Sequence, residues 1–186
     1  SGEWTLLRTR PFGKVPAPGT TPNSIFVTAM DTNPLAQDPA VVIKANESSF
    51  RHGLAVLGRL TDGPVWVCRA PGGDLPAFAE GQIREETFTA KHPAGNAGTH
   101  VHYLDPVSLA KTVWTVGYQE VIAIGKLFTE GKISTDRVVA LTGPQVKTPR
   151  LMRTRVGAGM EDFTRGELKD GDNRIVGGSV FNGHHA

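Results

Sequence analysis

An α/β fold is predicted for the longer, amino-terminal part of this chain and a smaller α+β unit for the remainder. Three observations carry that expectation. Short β-branched and aromatic runs at residues 24–29, 65–68 and 112–117 alternate with helix-period segments at 48–60 and 118–129. Beyond residues 131–136 the pattern changes to short strands around one short helical stretch. Glycine and proline are frequent, 22 and 13 among 186 residues, so turns and short connections are expected throughout. Strand, helix and strand in repetition suggest a Rossmann-like layered domain over residues 1–133, followed by the second unit over 134–186.

The elements follow in order. Pro11, Pro16, Pro18 and Pro22, with Gly13 and Gly19, forbid a helix at the start and predict an extended segment. Residues 24–29 read as a buried strand and 31–35 as a loop. Phe50, Leu54, Val56 and Leu57 recur at helical spacing over 48–60, with Ser48 or Ser49 as N-cap and Asp62-Gly-Pro as the break. Residues 65–68 give a second strand, ended by Ala70-Pro-Gly-Gly73, and partial alternation over 82–91 gives a third. Pro93, Gly95, Asn96 and Gly98 make 92–106 loop-like. A strand at 112–117 leads to a helix with Val121, Ile122, Ile124 and Leu127 toward the core. In the second unit, strands are expected at 137–143, 150–156 and 173–181, and a short helix within 160–168.

Composition excludes several classes. Twenty Lys plus Arg against 18 Asp plus Glu leave a net charge of +2, unlike a dedicated nucleic-acid binder or a polybasic membrane-surface domain. Cys68 is the single cysteine, which excludes a disulfide framework, a cysteine-based zinc site and an all-cysteine iron–sulfur cluster. No apolar run is long enough for a membrane span and no signal peptide opens the sequence, so a soluble piece is expected. The start at Ser-Gly-Glu-Trp, without Met, suggests a piece of a longer protein.

Nucleotide-binding fingerprints are absent. The strand at 24–29 exits through Met30-Asp-Thr-Asn-Pro rather than a glycine-rich turn, which argues against ordinary dinucleotide binding. The segment from Lys91 to Asp105 is the most unusual. Read as a strand, His100 and His102 point the same way and invite a metal shared with His92 or Asp105. Two-residue histidine spacing is common and no firm third ligand appears, so no metal site is assigned. The same loop offers amides near Gly95 and Gly98 to an anion. Asp31, Asn33, Asn46 and Glu47 stand where a crevice at the strands' carboxyl ends would lie, although capping and turn formation explain them better. Cys68 reads as a core residue. Lys147, Arg150, Arg153, Arg155 and Arg165 form a basic cluster that suits lipid headgroups, an acidic partner or a solvated face.

Four runs then point to a family: Trp4-Thr-Leu-Leu-Arg-Thr-Arg-Pro-Phe12, Asp31-Thr-Asn-Pro-Leu-Ala36, Gly98-Thr-His-Val-His-Tyr-Leu-Asp-Pro106 and Gly143-Pro-Gln-Val-Lys147. In these the chain resembles the A subunits of bacterial sodium-translocating NADH:quinone reductases, from Trp4 to about Val180. The resemblance implies a peripheral, cytoplasmic-side component of an inner-membrane translocase that passes electrons from NADH to ubiquinone and exports sodium. It also implies other subunits as partners, no membrane span of its own and no nucleic acid. A more distant similarity to the flavoprotein subunit of respiratory complex I implies that the second unit is a β-grasp, soluble-ligand-binding module. The family's proteins are longer at both ends, so the chain is expected to be a central fragment. The complex I relative holds FMN in a glycine-rich loop and an iron–sulfur cluster on cysteines. The corresponding loop here is residues 92–102, and only Cys68 is present, which implies that both groups are lost.

The resulting expectation is a subunit fragment for docking partners, with ubiquinone as a ligand and no covalent cofactor. An apolar slot with donors to quinone carbonyls is assigned to His100, His102, Trp114 and Tyr118. Two alternatives are a docking module without ligand and a nucleotide- or flavin-binding α/β domain.

Overall fold

A computed structural model describes residues 2–72 and 75–186. The chain divides into two compact units, residues 2–32 with 38–134 and residues 33–37 with 135–186.

The first unit is built on a five-stranded sheet. Its strands are β1 (Arg8–Arg10), β2 (Ile25–Ala29), β3 (Val65–Arg69), β4 (Ile83–Thr87) and β5 (Val113–Gly117), in the order β1-β5-β2-β3-β4. β5, β2, β3 and β4 run parallel, and β1 is an antiparallel edge beside β5. Ile25-Phe-Val27 of β2 and Val113-Trp-Thr-Val116 of β5 are buried on both faces, as parallel strands covered by helices require, and β3 is buried apart from the half-buried Trp66 and Arg69. β4, with Arg84, Glu85 and Glu86, is the charged outer edge. β1 forms inside the segment expected to be merely extended; Pro11 ends it after three residues.

The helices are α1 (Pro39–Ala45), α2 (Glu47–Leu57), α3 (Ala97–Leu104) and α4 (Tyr118–Glu130). α1 lies outside the predicted elements, although its start signal is present. Asp38 caps it, accepting from the Ala40 amide at 2.9 Å, and Pro39 occupies its first turn. Asn46, not Ser48 or Ser49, precedes α2, and both serines lie inside the helix. α2 and α4 pack backbone to backbone. A Cβ on Gly53 would overlap the Val121 carbonyl oxygen, and one on Gly125 would overlap that of Ser49. Neither position admits a side chain without moving the crossing.

Two layers cover the sheet. Ile25, Val27, Val65, Val67 and Trp114 are buried on the face toward α2 and α4, and Trp4 meets Trp114 edge-on at 5.5 Å. Phe26, Cys68 and Val113 form the other face, packed with Val101 and Leu104 of α3 and with Phe88. Burial, and secondarily the Glu86 charge, pushes the Cys68 thiol far above its ordinary range, so it is an inert core group.

The second unit is thinner. β6 (Asp136–Leu141) and β7 (Arg150–Arg155) pair antiparallel, α5 (Met160–Thr164) follows, and β8 (Val176–Gly177) pairs with β9 (His184–His185). The strand expected over 173–181 shrinks to two residues, because Gly177 and Gly178 interrupt its apolar run. The segment 33–37 belongs to this unit: Gln37 Nε2 donates to the Val138 oxygen at 3.1 Å and Thr142 Oγ1 to the Leu35 oxygen at 3.5 Å. Gly73, in the turn expected after β3, lies outside the described residues.

Candidate functional site at the carboxyl ends of the strands

In an open α/β sheet, ligands bind beyond the carboxyl ends of the strands where strand order reverses. Here the reversal falls between β2 and β5. Three segments of the first unit build this end: the exit of β2 through Thr32, the loop 92–96 ahead of α3, and the start of α4.

Thr32 Oγ1 accepts the Gly95 amide at 2.9 Å and lies 3.4 Å from His92 Nδ1. Gly95 must be glycine for this approach, since a Cβ would stand 2.8 Å from both Thr32 N and Oγ1. The loop is held from below by His100, whose ring is fully buried with Nε2 2.8 Å from the Ala94 oxygen. A carbonyl only accepts, so Nε2 carries the proton and Nδ1 is bare. That Nδ1 is buried without a hydrogen-bond partner, and the Phe88 ring lies 4.3 Å away, centroid to centroid. Burial lowers the His100 pKa more than the Ala94 contact raises it, which keeps the ring neutral.

The expected histidine pair is therefore corrected. Residues 97–104 form α3 rather than a strand, so His100 and His102 project from roughly opposite sides. His100 is buried, whereas His102 is exposed and stacks edge-on with Tyr103 at 5.1 Å. The glycines and Pro93 mask the helix, but Asn96 as N-cap and Val101 with Leu104 as an apolar stripe are readable signals. Trp114 points into the core on the sheet face opposite α3 and does not join the histidines. Tyr118, half-buried in the first turn of α4, accepts from Gln119 Nε2 at 3.2 Å. The four predicted contacts are not brought together.

Asp105 is a structural latch. Its carboxylate accepts from Asn23 Nδ2 at 2.9 Å and Ser24 Oγ at 2.6 Å, and it is bound by Lys111 Nζ, all at the amino end of the sheet. Burial raises its pKa, but the bonds from Lys111, Ser24 and Asn23 outweigh this and hold it below the usual carboxylate range. Asn46 donates to the Val42 oxygen at the junction of α1 and α2, and Glu47 pairs with Arg51 at 2.9 Å, both structural duties. Among the described residues, no group of three or more His, Cys, Asp or Glu is placed to share a metal. The basic cluster is largely paired: Arg150 with Glu167, Arg153 with Asp136 and Arg165 with Asp162.

Electrostatics set what this end can bind. The glycine-free exit of β2 runs from Met30 to Asp38, where the Asp38 carboxylate caps α1. At α4, Glu120 folds back over the N-cap Gly117, its Oε2 filling the space that a Cβ there would need. Two helix amino termini that would favour phosphate thus carry the protein's own carboxylates.

Strand order, covering helices and this carboxylate-capped end define an open, mostly parallel α/β domain, joined to a small strand-rich unit. Residues 1–133 match the family described as the NqrA second alpha/beta domain, and residues 138–186 match the NQRA C-terminal domain. The chain belongs to the NqrA family, the A subunits of the Na(+)-translocating NADH-quinone reductases. It is 77% identical, over its whole length, to the family's protein from Alcanivorax borkumensis, of which it covers 42%. Identity is 60% with that of Saccharophagus degradans (98% of this chain, 41% of the relative) and 58% with that of Cellvibrio japonicus (all of this chain, 42% of the relative). The chain thus spans about two fifths of the length of these relatives. Among the described residues, no helix is long and apolar enough to cross a membrane.

Proposed function

We propose that this chain is a docking part of a sodium-translocating NADH:quinone reductase, held peripherally on the cytoplasmic side by other subunits, and that it binds neither FMN nor an iron–sulfur cluster. The observation that carries this reading is the pair of internal carboxylates, Asp38 and Glu120, at the helix starts where a nucleotide phosphate would sit. The strand order supports a Rossmann-like description of the first unit, used as a scaffold. A β-grasp description of the second rests on the family resemblance. Thermal denaturation with NADH, FMN or neither tests the first point: unchanged midpoints are expected, and a ligand-dependent rise refutes it.

Quinone binding is the second reading, favoured by one observation. Tyr118 places a hydroxyl, which accepts from Gln119 Nε2, in the first turn of α4 beyond the carboxyl end of β5, the kind of polar group that a quinone site uses. His100 then acts as a positioning residue that holds the 92–96 loop. Titration with a water-soluble ubiquinone analogue, followed by tryptophan quenching, is expected to saturate and to weaken in Tyr118→Phe. Equal binding by the variant removes Tyr118 from the site.

A further inference from the structure

Two turns at the amino end of the first unit's sheet carry apolar side chains into solvent. β1 runs antiparallel to β5 and ends with Arg10 opposite Val113, so the chain leaves the sheet at Pro11, where β5 begins. There Phe12 is 76% exposed in a turn closed by two backbone hydrogen bonds, from Gly13 N to the Thr9 oxygen at 2.7 Å and from Thr9 N to the Lys14 oxygen at 2.8 Å. Gly13 takes the left-handed conformation that the turn needs, and Trp4 Nε1 fixes the returning segment by donating to the Pro16 oxygen at 2.8 Å. The second turn, Ser108 to Lys111, leads into β5 and is closed by reciprocal backbone bonds of 3.3 Å, with Leu109 fully exposed at its tip. Single exposed apolar side chains are ordinary, but these two are held out by closed turns at one end of one strand pair.

Cations without counter-ions stand beside them. No Asp or Glu occurs from Trp4 to Met30, a stretch that contains Arg8, Arg10 and Lys14. Arg8 donates to the Leu7 oxygen at 2.8 Å, whereas Arg10 Nε is buried without a hydrogen-bond partner. Among the described residues neither Arg10 nor Lys14 has a carboxylate partner, in contrast to Arg150, Arg153 and Arg165. Asp105, at the same end of the sheet, is already engaged by Lys111, Ser24 and Asn23. We propose that this end of the first unit docks directly on an anionic phospholipid bilayer. Phe12 and Leu109 enter the interface, and Arg10 and Lys14 meet headgroup phosphates. A protein partner calls for a continuous, shape-matched apolar patch, whereas two separate tips suit a surface that yields around them. The inference rests on the peripheral placement proposed above and adds lipid contact to subunit contact.

Co-sedimentation of the 186-residue chain with vesicles tests it. Binding is expected with vesicles of phosphatidylglycerol and phosphatidylethanolamine, weakening as salt rises, and not with phosphatidylcholine alone. Arg10→Gln with Lys14→Gln is expected to weaken it about twentyfold. Phe12→Ser with Leu109→Ser is expected to weaken it about tenfold or more, with the thermal midpoint unchanged because both side chains are exposed. Cys68 is buried, so a polarity-sensitive fluorophore can be placed on Phe12→Cys alone, and its emission is expected to shift to the blue on the anionic vesicles. Absence of vesicle binding, binding that survives both double substitutions, or a fluorophore that keeps its aqueous emission overturns the inference. So does binding to polyglutamate without binding to vesicles, which assigns the tips to an acidic protein segment. The assay contains no other subunit, so any of these failures leaves the subunit-docking reading standing.

Discussion

The two units solve the same problem with unequal means. The first buries Phe26, Phe50, Leu54, Val65, Val67 and Trp114 between a five-stranded sheet and helices on both faces. The second holds its hairpin with cross-strand pairing, the bidentate Arg150–Glu167 contact and two buried aliphatic side chains. Apolar burial scales with the number of layers, so the first unit has a cohesive core and the second depends on polar surface contacts that solvent screens. A convenient probe separates them. The protein's three tryptophans, Trp4, Trp66 and Trp114, all lie in the first unit, so their fluorescence reports that unit alone.

The largest expected effect falls on the helix crossing. Gly125→Val is expected to cost the first unit about 3 kcal/mol or more, because the new side chain meets the Ser49 backbone rather than a movable group. Urea unfolding followed by tryptophan fluorescence measures it, and a loss below about 1 kcal/mol means that the crossing is looser than described. Phe26→Ala is expected to cost a similar amount, about 3 kcal/mol, whereas Leu151→Ala in the second unit stays within about 0.5 kcal/mol. Comparable losses at the two sites erase the contrast between the units.

Asp105→Ala is expected to cost the first unit about 2 kcal/mol, since it frees Lys111, Asn23 and Ser24 together. The folded carboxyl titrates below its unfolded value of 3.8, so its contribution is complete above that pH. The contribution fades as pH falls through the lower, folded value. Denaturation midpoints that do not move with acid in the wild-type chain, after subtraction of the Asp105→Asn variant, contradict this.

A smaller effect is expected from His100. Its folded pKa lies below the unfolded 6.5, so in the window between them the unfolded chain holds the extra proton. Stability contributed by the neutral ring is complete above about 6.5 and declines as pH falls through that window. His100→Gln keeps a donor for the Ala94 oxygen and is expected to flatten that part of the pH profile. A profile unchanged by the substitution assigns the acid sensitivity elsewhere. Smallest of all is Glu167→Gln, an exposed pair whose loss is expected only as faster exchange near β7.

Legibility in the sequence follows the same divide. β2, β3, β5 and α4 are readable because buried parallel strands and a long amphipathic helix impose strong periodicity. The strands β6 and β7 are equally visible from their alternation. α3 is not, since Gly95, Gly98 and Pro93 outweigh an eight-residue helix with two core contacts. The difference carries into the site: His100 and His102 share a face only on a strand. The carboxylate caps are hidden for another reason. Nothing in local pattern reveals that Glu120 turns back over Gly117, and the helix-start signal of Asp38-Pro39 follows directly on a loop that obscures it.

Residues 33–37 leave the first unit's sheet, lodge in the second unit and return in time for Asp38 to start α1. The boundary between the units is therefore not a single point on the gene. A chimaera that swaps the second unit between relatives by cutting near residue 134 imports a hairpin whose Val138 oxygen still meets the recipient's own Gln37. Compatibility of such exchanges is thus decided by five residues encoded about a hundred codons upstream of the cut.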